Sequence, residues 1–265
     1  MERNIIYNID CIEWMQNTPK EIDNTPKEID LVLTSPPYNL TKESVSGTDR
    51  KKGLRYDHYN DEKTEDEYLE FTQQVFEGYN KVLKDTGAIL YNMSYGNSNP
   101  NLMNLTVAHI LKTTPFVLQD IIVWKKDCSM PSPASNSRLQ RICEFVYVFV
   151  KKEFAEDFKM NKQIVKTLDN GMNYYEVFEN FIEAKNNDGT NDLNKATFST
   201  EFCRKIMRLY VAEGSLIYDS FMGTGTTAEA CIIEKMNYVG TEISEAQCKF
   251  AEKRLGIRIS QPTLF

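Results

Sequence analysis

The chain has 265 residues, 41% of them hydrophobic, enough to bury one sizeable core. It carries 38 acidic and 31 basic residues, a net charge of −7, so the overall balance does not announce a nucleic-acid binder. No apolar run approaches the roughly 20 residues of a membrane helix. The N-terminus lacks a basic-then-apolar leader, and a soluble, cytoplasmic protein is expected.

Six cysteines (Cys11, Cys128, Cys143, Cys203, Cys231 and Cys248) stand apart, with no Cys-x-x-Cys pair and only His58 and His109 beside them in composition. That pattern predicts reduced, packed thiols and no metal site. It also leaves little material for histidine acid–base chemistry. Basic residues do cluster locally, at Arg50, Lys51, Lys52 and Arg55, and more loosely at Lys125, Lys126, Arg138, Arg141, Lys151 and Lys152. Each group alone reads as a solvated face, so composition permits a DNA enzyme without proposing one.

In chain order, residues 5–9 predict a strand and 11–17 a helix. Thr18-Pro19-Lys20-Glu21-Ile22-Asp23 then recurs as Thr25-Pro26-Lys27-Glu28-Ile29-Asp30. One seven-residue step is too short for a repeat architecture. It reads as a tandem duplication in a connection, where insertions cost little. Deleting residues 18–24 is expected to leave activity intact. Leu31-Val32-Leu33 is a strand stopped by Pro36-Pro37, and residues 41–61 form a polar loop. Tyr68, Leu69, Phe71, Val75, Phe76, Tyr79, Val82 and Leu83 fall at helical spacing, with Asp85-Thr86-Gly87 expected to close the helix. A strand at 88–93, a helix at 103–111 and strands at 116–124 and 145–150 follow. Residues 151–194 lose periodicity and read as a small insertion. Then come a helix at 200–210, a strand at 215–219, a helix at 226–235, a strand at 238–242 and a closing helix at 246–255. Strands alternating with helices predict a three-layer α/β fold around a mostly parallel sheet.

Two strand ends carry chemistry. Asp219-Ser220-Phe221-Met222-Gly223-Thr224-Gly225-Thr226-Thr227 joins a strand to a helix, at the carboxyl edge where open α/β sheets bind ligands. Gly-x-Gly alone is compatible with a plain tight turn. Glu242 sharpens it, because a carboxylate ending the next strand can accept hydrogen bonds from a ribose diol. Ala228 stands where a third glycine would complete the dinucleotide fingerprint, so a nicotinamide dehydrogenase stays open. Thr226-Thr227 without a lysine excludes a P-loop. At the other strand end, Thr34-Ser35-Pro36-Pro37-Tyr38-Asn39 stiffens the backbone and frees carbonyl acceptors. Ser35 and the Pro36 carbonyl could hold both hydrogens of an exocyclic amine, while Tyr38 stacks on a base turned out of the duplex.

Thr34-Ser35-Pro36-Pro37-Tyr38 resembles the catalytic motif of the amino-group DNA methyltransferases, and Asp219 to Thr227 resembles their cofactor motif. The catalytic motif precedes the cofactor motif, an order similar to the β-class, circularly permuted N6-adenine/N4-cytosine group. The resemblance implies a Rossmann-like methyltransferase fold that binds S-adenosyl-L-methionine. It implies residues 1–150 as the catalytic half, 151–194 as a small target-recognition region and 195–265 as the cofactor-binding half. It gives Ser35, Pro36, Pro37 and Tyr38 to catalysis. It assigns the cofactor adenine to Asp10 and Cys11, the methionine and adenine parts to Asp219 and Phe221, and the ribose to Glu242. Thr34, Gly223, Gly225 and Thr226 complete the cofactor set. Ala196-Thr197-Phe198 resembles the segment flanking the methionine end, which places Thr197 in the site; Lys195 and Ser199-Thr200 stand where the family has a histidine and prolines.

The reaction implied is in-line attack of the amine on a sulfonium methyl. No Pro-Cys nucleophile motif is present, which argues against C5-cytosine chemistry. Ser35, where the adenine-specific members more often have Asp or Asn, tilts the target to N4 of cytosine, with N6 of adenine as the alternative. Residues 41–61 and 151–194, Met130-Pro131-Ser132-Pro133 and Arg138 are the expected contacts to double-stranded DNA. The partners admitted beside DNA are a separate cognate restriction endonuclease and a second copy of the chain. An RNA or protein-glutamine methyltransferase, or a non-catalytic regulator, would share the cofactor motif.

Overall fold

The computed structural model describes residues 1–18, 27–39, 63–94, 99–127, 139–188 and 198–256, with the backbone of 259–260. Thr197, residues 41–61, Met130 to Pro133, Arg138 and most of the duplicated segment lie outside the described residues.

The strands are β1 (Ile5–Tyr7), β2 (Ile29–Thr34), β3 (Leu83–Met93), β4 (Phe116–Lys126), β5 (Cys143–Lys151), β6 (Ile164–Thr167), β7 (Asn173–Tyr175), β8 (Phe181–Ala184), β9 (Leu216–Asp219), β10 (Asn237–Thr241) and β11 (Ile259–Ser260). The helices are α1 (Cys11–Asn17), α2 (Glu65–Val82), α3 (Leu102–Thr113), α4 (Thr200–Tyr210), α5 (Thr226–Ile233) and α6 (Glu245–Leu255). Nine strands form one sheet in the order β11-β1-β10-β9-β2-β3-β5-β4-β8. It is parallel throughout except where β5 runs against both β3 and β4. This is the expected three-layer α/β architecture.

Period-two alternation divides the core between the two faces of the sheet. Leu31, Leu33 and Leu90 point to one face, with Phe202, Ile206 and Met207 of α4 and Ala228 and Cys231 of α5. Val32, Ile89 and Tyr91 point to the other, with Trp14 of α1, Val75, Phe76 and Tyr79 of α2 and Val107 of α3. The stripe of α2 buries Tyr68, Thr72, Val75, Phe76, Tyr79 and Val82, and Thr64 and Glu67 close a reciprocal capping box at its start.

Asp85-Thr86-Gly87 does not form a loop after α2, contrary to expectation. The chain turns extended at Leu83, which pairs at once with Ile29, and all three residues sit within β3. Gly87 permits this, since a Cβ there would come within 2.9 Å of the Asp30 carbonyl. Residues 151–194 contribute a separate hairpin, β6–β7, and one strand, β8, that pairs with β4 at the edge of the main sheet. No helix among the described residues is long and apolar enough to cross a membrane.

The neighbours β9 and β2 lie where the chain diverges, β2 leading on to β3 on one side and β9 to β10 on the other. Such a divergence opens a crevice beyond the carboxyl ends of the strands, the usual ligand position in open α/β sheets.

Candidate active site

Because β1, β10, β9, β2 and β3 are parallel, their carboxyl ends share one edge. Asp10, Glu242, Asp219, Thr34 and Asn92 therefore meet there although they are far apart in sequence. The antiparallel β5 brings its start, Glu144, to the same edge, opposite Trp124 near the end of β4.

A buried hydrogen bond joins the two motifs. Thr34 Oγ1 donates to Asp219 Oδ1 at 2.7 Å and lies 3.2 Å from Ser220 Oγ. The same carboxylate oxygen accepts the Phe221 N–H at 3.0 Å, and Thr227 Oγ1 donates to Oδ2. Asp219 is only 2% exposed. Burial pushes its carboxyl up to about 6, against the lowering effect of the Thr227, Thr34 and Phe221 hydrogen bonds. Tyr79 of α2 bonds to Ser220 Oγ and ties the turn to the helix.

The turn then needs glycine. Gly223 and Gly225 have φ of 55° and 85°, in the left-handed region that costs a Cβ-bearing residue. A Cβ at Gly225 would also press to 2.8 Å from Leu255 Cδ1. Gly223 N–H donates to Glu242 Oε2 and Ser244 N–H to Glu242 Oε1, both at 2.8 Å. The ribose candidate is thus a buried carboxylate held by backbone amides. Thr226 opens α5 and is buried. Arg254 of α6 lies 3.5 Å from both the Thr224 carbonyl and Thr226 Oγ1, and it pairs with Asp188 and Glu229.

Asp10 caps α1, its Oδ1 accepting the N–H groups of Ile12 at 2.9 Å and Glu13 at 3.1 Å. Cys11 is buried behind it, its thiol raised by burial and by the Asp10 charge. The half-buried Phe221 has its ring centroid 6.1 Å from that of Phe71. The structure brings together every expected site residue that it describes; Thr197 alone falls outside.

The catalytic motif is braced from below and beside. Tyr68 Oη donates to the Pro37 carbonyl at 2.8 Å. Asn39, at φ 52°, exchanges two hydrogen bonds with the Lys63 backbone. Ser35 Oγ lies 2.9 Å from Tyr38 Oη, which donates to Glu144 Oε2 at 3.2 Å and accepts from Asn92 Nδ2 at 2.9 Å. Asn92 Nδ2 also donates to Glu144 Oε2 at 2.7 Å, while Lys126 pairs with Oε1 and lies over the Trp124 ring. Sequence reasoning missed Asn92, Glu144, Tyr79, Ser220, Thr227 and Arg254. Glu144 could have been found as an acid in the otherwise apolar run Glu144-Phe145-Val146-Tyr147-Val148-Phe149-Val150; Arg254 carries no such signal.

An open α/β sheet whose carboxyl edge joins a glycine turn, an acidic strand end and a Ser-Pro-Pro-Tyr loop defines a methyltransferase-type fold. A family profile described as DNA methylase, of the N6/N4 type, matches residues 29–253, and the chain belongs to that family. It is an S-adenosylmethionine-dependent amino-methyltransferase of DNA. The chain is 24% identical over 263 residues to the type II methyltransferase M.HinfI of Haemophilus influenzae, covering 95% of this chain and 68% of that protein. It is 25% identical over 257 residues to the orphan methyltransferase M.BamHII of Bacillus amyloliquefaciens, covering 85% and 88%. Among solved structures, the cytosine-N4-specific PvuII DNA methyltransferase superposes with a TM-score of 0.67 at 18% identity, over 94% of this chain and 85% of that one. The M1.HpyAVI–SAM complex superposes with a TM-score of 0.63 at 20% identity, over 96% and 99%.

Proposed function

We propose that the protein methylates the exocyclic amino group of a base turned out of duplex DNA, at N4 of cytosine in preference to N6 of adenine, as a site-specific modification enzyme. The observation that carries this reading is the 2.7 Å hydrogen bond from Thr34 to Asp219, which fastens the Ser-Pro-Pro-Tyr loop to the glycine turn. Two residues with 184 others between them in sequence, and the motifs they begin, are thereby held in one crevice.

The donor set fits the cofactor. In this reading the Glu242 carboxylate takes the ribose, Asp10 and Cys11 the adenine, and Asp219 and Phe221 the methionine and adenine parts, while Gly223 and Gly225, at positive φ, carry no side chain at the turn whose Gly223 N–H holds Glu242. S-adenosylmethionine supplies an electrophilic methyl on a sulfonium when bound. The rest falls to the chain's own residues. Ser35 Oγ and the Pro36 carbonyl accept the two amine hydrogens and draw the nitrogen toward tetrahedral geometry, with its lone pair aimed at the methyl position. Tyr38 stacks on the displaced base, and the Tyr68 and Asn39 bonds keep the loop from giving way. The cytosine preference rests on Ser35, a neutral hydroxyl suited to an amine beside a ring acceptor.

The hairpin β6–β7 exposes Ile164, Val165, Tyr174 and Tyr175 in the stretch read as target recognition, and Lys166 stands on the same hairpin. These supply aromatic and basic contacts to DNA. Relatives named as type II methyltransferases support a place in restriction and modification, and one relative is named an orphan methyltransferase. The test is methylation of unmodified DNA of high sequence complexity, followed by nucleoside digestion and mass spectrometry. N4-methylcytosine is expected. N6-methyladenine without it would refute the base assignment and leave the reaction class standing; product in RNA alone would refute the DNA reading.

A further inference from the structure

We propose that Glu144 is a positioning residue for the methyl-transfer reaction, one that fixes Ser35 as a hydrogen-bond acceptor and takes up the proton the amine sheds. This rests on the proposed role of Ser35 in holding the amine.

The argument starts from the direction of hydrogen bonds. Glu144 is 8% exposed, and its two carboxylate oxygens are used differently: Oε1 pairs with Lys126, while Oε2 faces Asn92 and Tyr38. Asn92 Nδ2 donates both to Oε2 and to the Tyr38 oxygen. Presenting its carbonyl there instead would set it against a carboxylate, so the Glu144 charge fixes the amide. The Tyr38 hydroxyl proton meets a carboxylate on one side and Ser35 on the other. A charged acceptor wins over a neutral one, and the proton goes to Glu144. The Tyr38 oxygen is then left to accept, so Ser35 donates its proton to Tyr38 across 2.9 Å. Both lone pairs of Ser35 Oγ are consequently turned to the crevice, because this hydroxyl has no other hydrogen-bond partner among the described residues. Without Glu144 the chain of protons can reverse, and a Ser35 that donates is the wrong partner for an amine.

The same chain disposes of a proton. As the new N–CH3 bond forms and the S–CH3 bond breaks, the exocyclic nitrogen carries one hydrogen too many and a positive charge. That proton passes to Ser35 Oγ, the Ser35 proton to the Tyr38 oxygen and the Tyr38 proton to Glu144 Oε2. Ser35 and Tyr38 end neutral, the methylated amine ends neutral and Glu144 ends as a carboxylic acid. Lys126 keeps its own charge throughout.

The test compares wild type, Glu144→Gln, Tyr38→Phe and the double variant in single-turnover methylation of unmodified DNA. Cofactor affinity and thermal midpoint are measured on the same preparations. Each single variant is expected to lose on the order of a hundredfold in rate, with cofactor Kd and midpoint close to wild type. The double variant should be no slower than the worse single one, because both cut one chain. In protein carrying 13Cζ-labelled tyrosine, the Tyr38 resonance, assigned by its loss in Tyr38→Phe, should move in Glu144→Gln. A Glu144→Gln rate within threefold of wild type, multiplying losses in the double variant or an unmoved Tyr38 resonance would each overturn the proposal. If Glu144→Gln does not fold, Glu144→Asp takes its place: it keeps the charge facing Lys126 but not the reach to Tyr38. A rate loss at an intact midpoint then supports the proposal, and a wild-type rate overturns it. Absence of any methylated amino base from the wild type would instead sink the methyltransferase reading itself.

Discussion

Replacing Asp219 with asparagine should make the stability difference between variant and wild type depend on pH in one direction. Asp219 is buried, and its carboxyl stands at about 6 rather than 3.8, because desolvation outweighs the hydrogen bonds from Thr227, Thr34 and the Phe221 amide. A carboxyl raised by folding is charged more readily in the unfolded chain. Its contribution therefore favours the fold below 3.8 and is lost as pH rises through the window up to about 6. At roughly 1.4 kcal/mol per pH unit the full penalty at neutral pH is about 3 kcal/mol. Asparagine does not titrate. It also loses acceptor capacity toward the Thr34 and Thr227 hydroxyls, a cost of about 1–3 kcal/mol that is independent of pH. The two effects separate cleanly. Asp219→Asn should be clearly less stable than wild type near pH 4 and should recover about 2–3 kcal/mol relative to it near pH 7. Urea denaturation of both proteins across that range, with the slope m checked for constancy, reads this directly. A difference that stays constant with pH would refute the reasoning and mean that the carboxylate is better solvated by its hydrogen bonds than its burial implies.

Thr34→Val keeps the shape but removes the donor that joins the two motifs; it should cost about 1.5–3 kcal/mol by denaturation, as expected for a hydrogen bond to a charged group, and lower turnover with it. Gly225→Ala must hold φ 85° and crowd Leu255 and Ala251. Strain of about 1–3 kcal/mol should appear as weakened cofactor binding in a titration before it appears as unfolding. Phe76→Ala empties the ring that meets Tyr79, Tyr91, Phe116 and Phe149 edge-on. It should destabilise by about 3–5 kcal/mol, with single-turnover chemistry near normal in the fraction that stays folded.

Sequence periodicity alone located α1, α2, α3, α4, α5 and α6 and seven of the nine strands of the main sheet, all but β8 and β11, because each buries a face whose spacing is written locally. It failed at Asp85-Thr86-Gly87, where turn-forming residues are overruled by the pairing of Leu83 with Ile29, a contact between residues more than fifty positions apart. β8 was likewise hidden: Phe181–Ala184 is a short segment in a polar stretch, and only the edge of β4 makes it a strand.

Of the site, the sequence by itself determined the two motifs and their order, because Pro36-Pro37 and Gly223-Thr224-Gly225 impose backbone conformations that few other residues accept. It could not determine what those motifs touch. That Asp219 meets Thr34, that Glu242 is held by Gly223 and Ser244, and that Glu144 and Asn92 stand behind Tyr38 follow from strand order and register. Those are properties of a sheet assembled from distant segments, and no local pattern contains them.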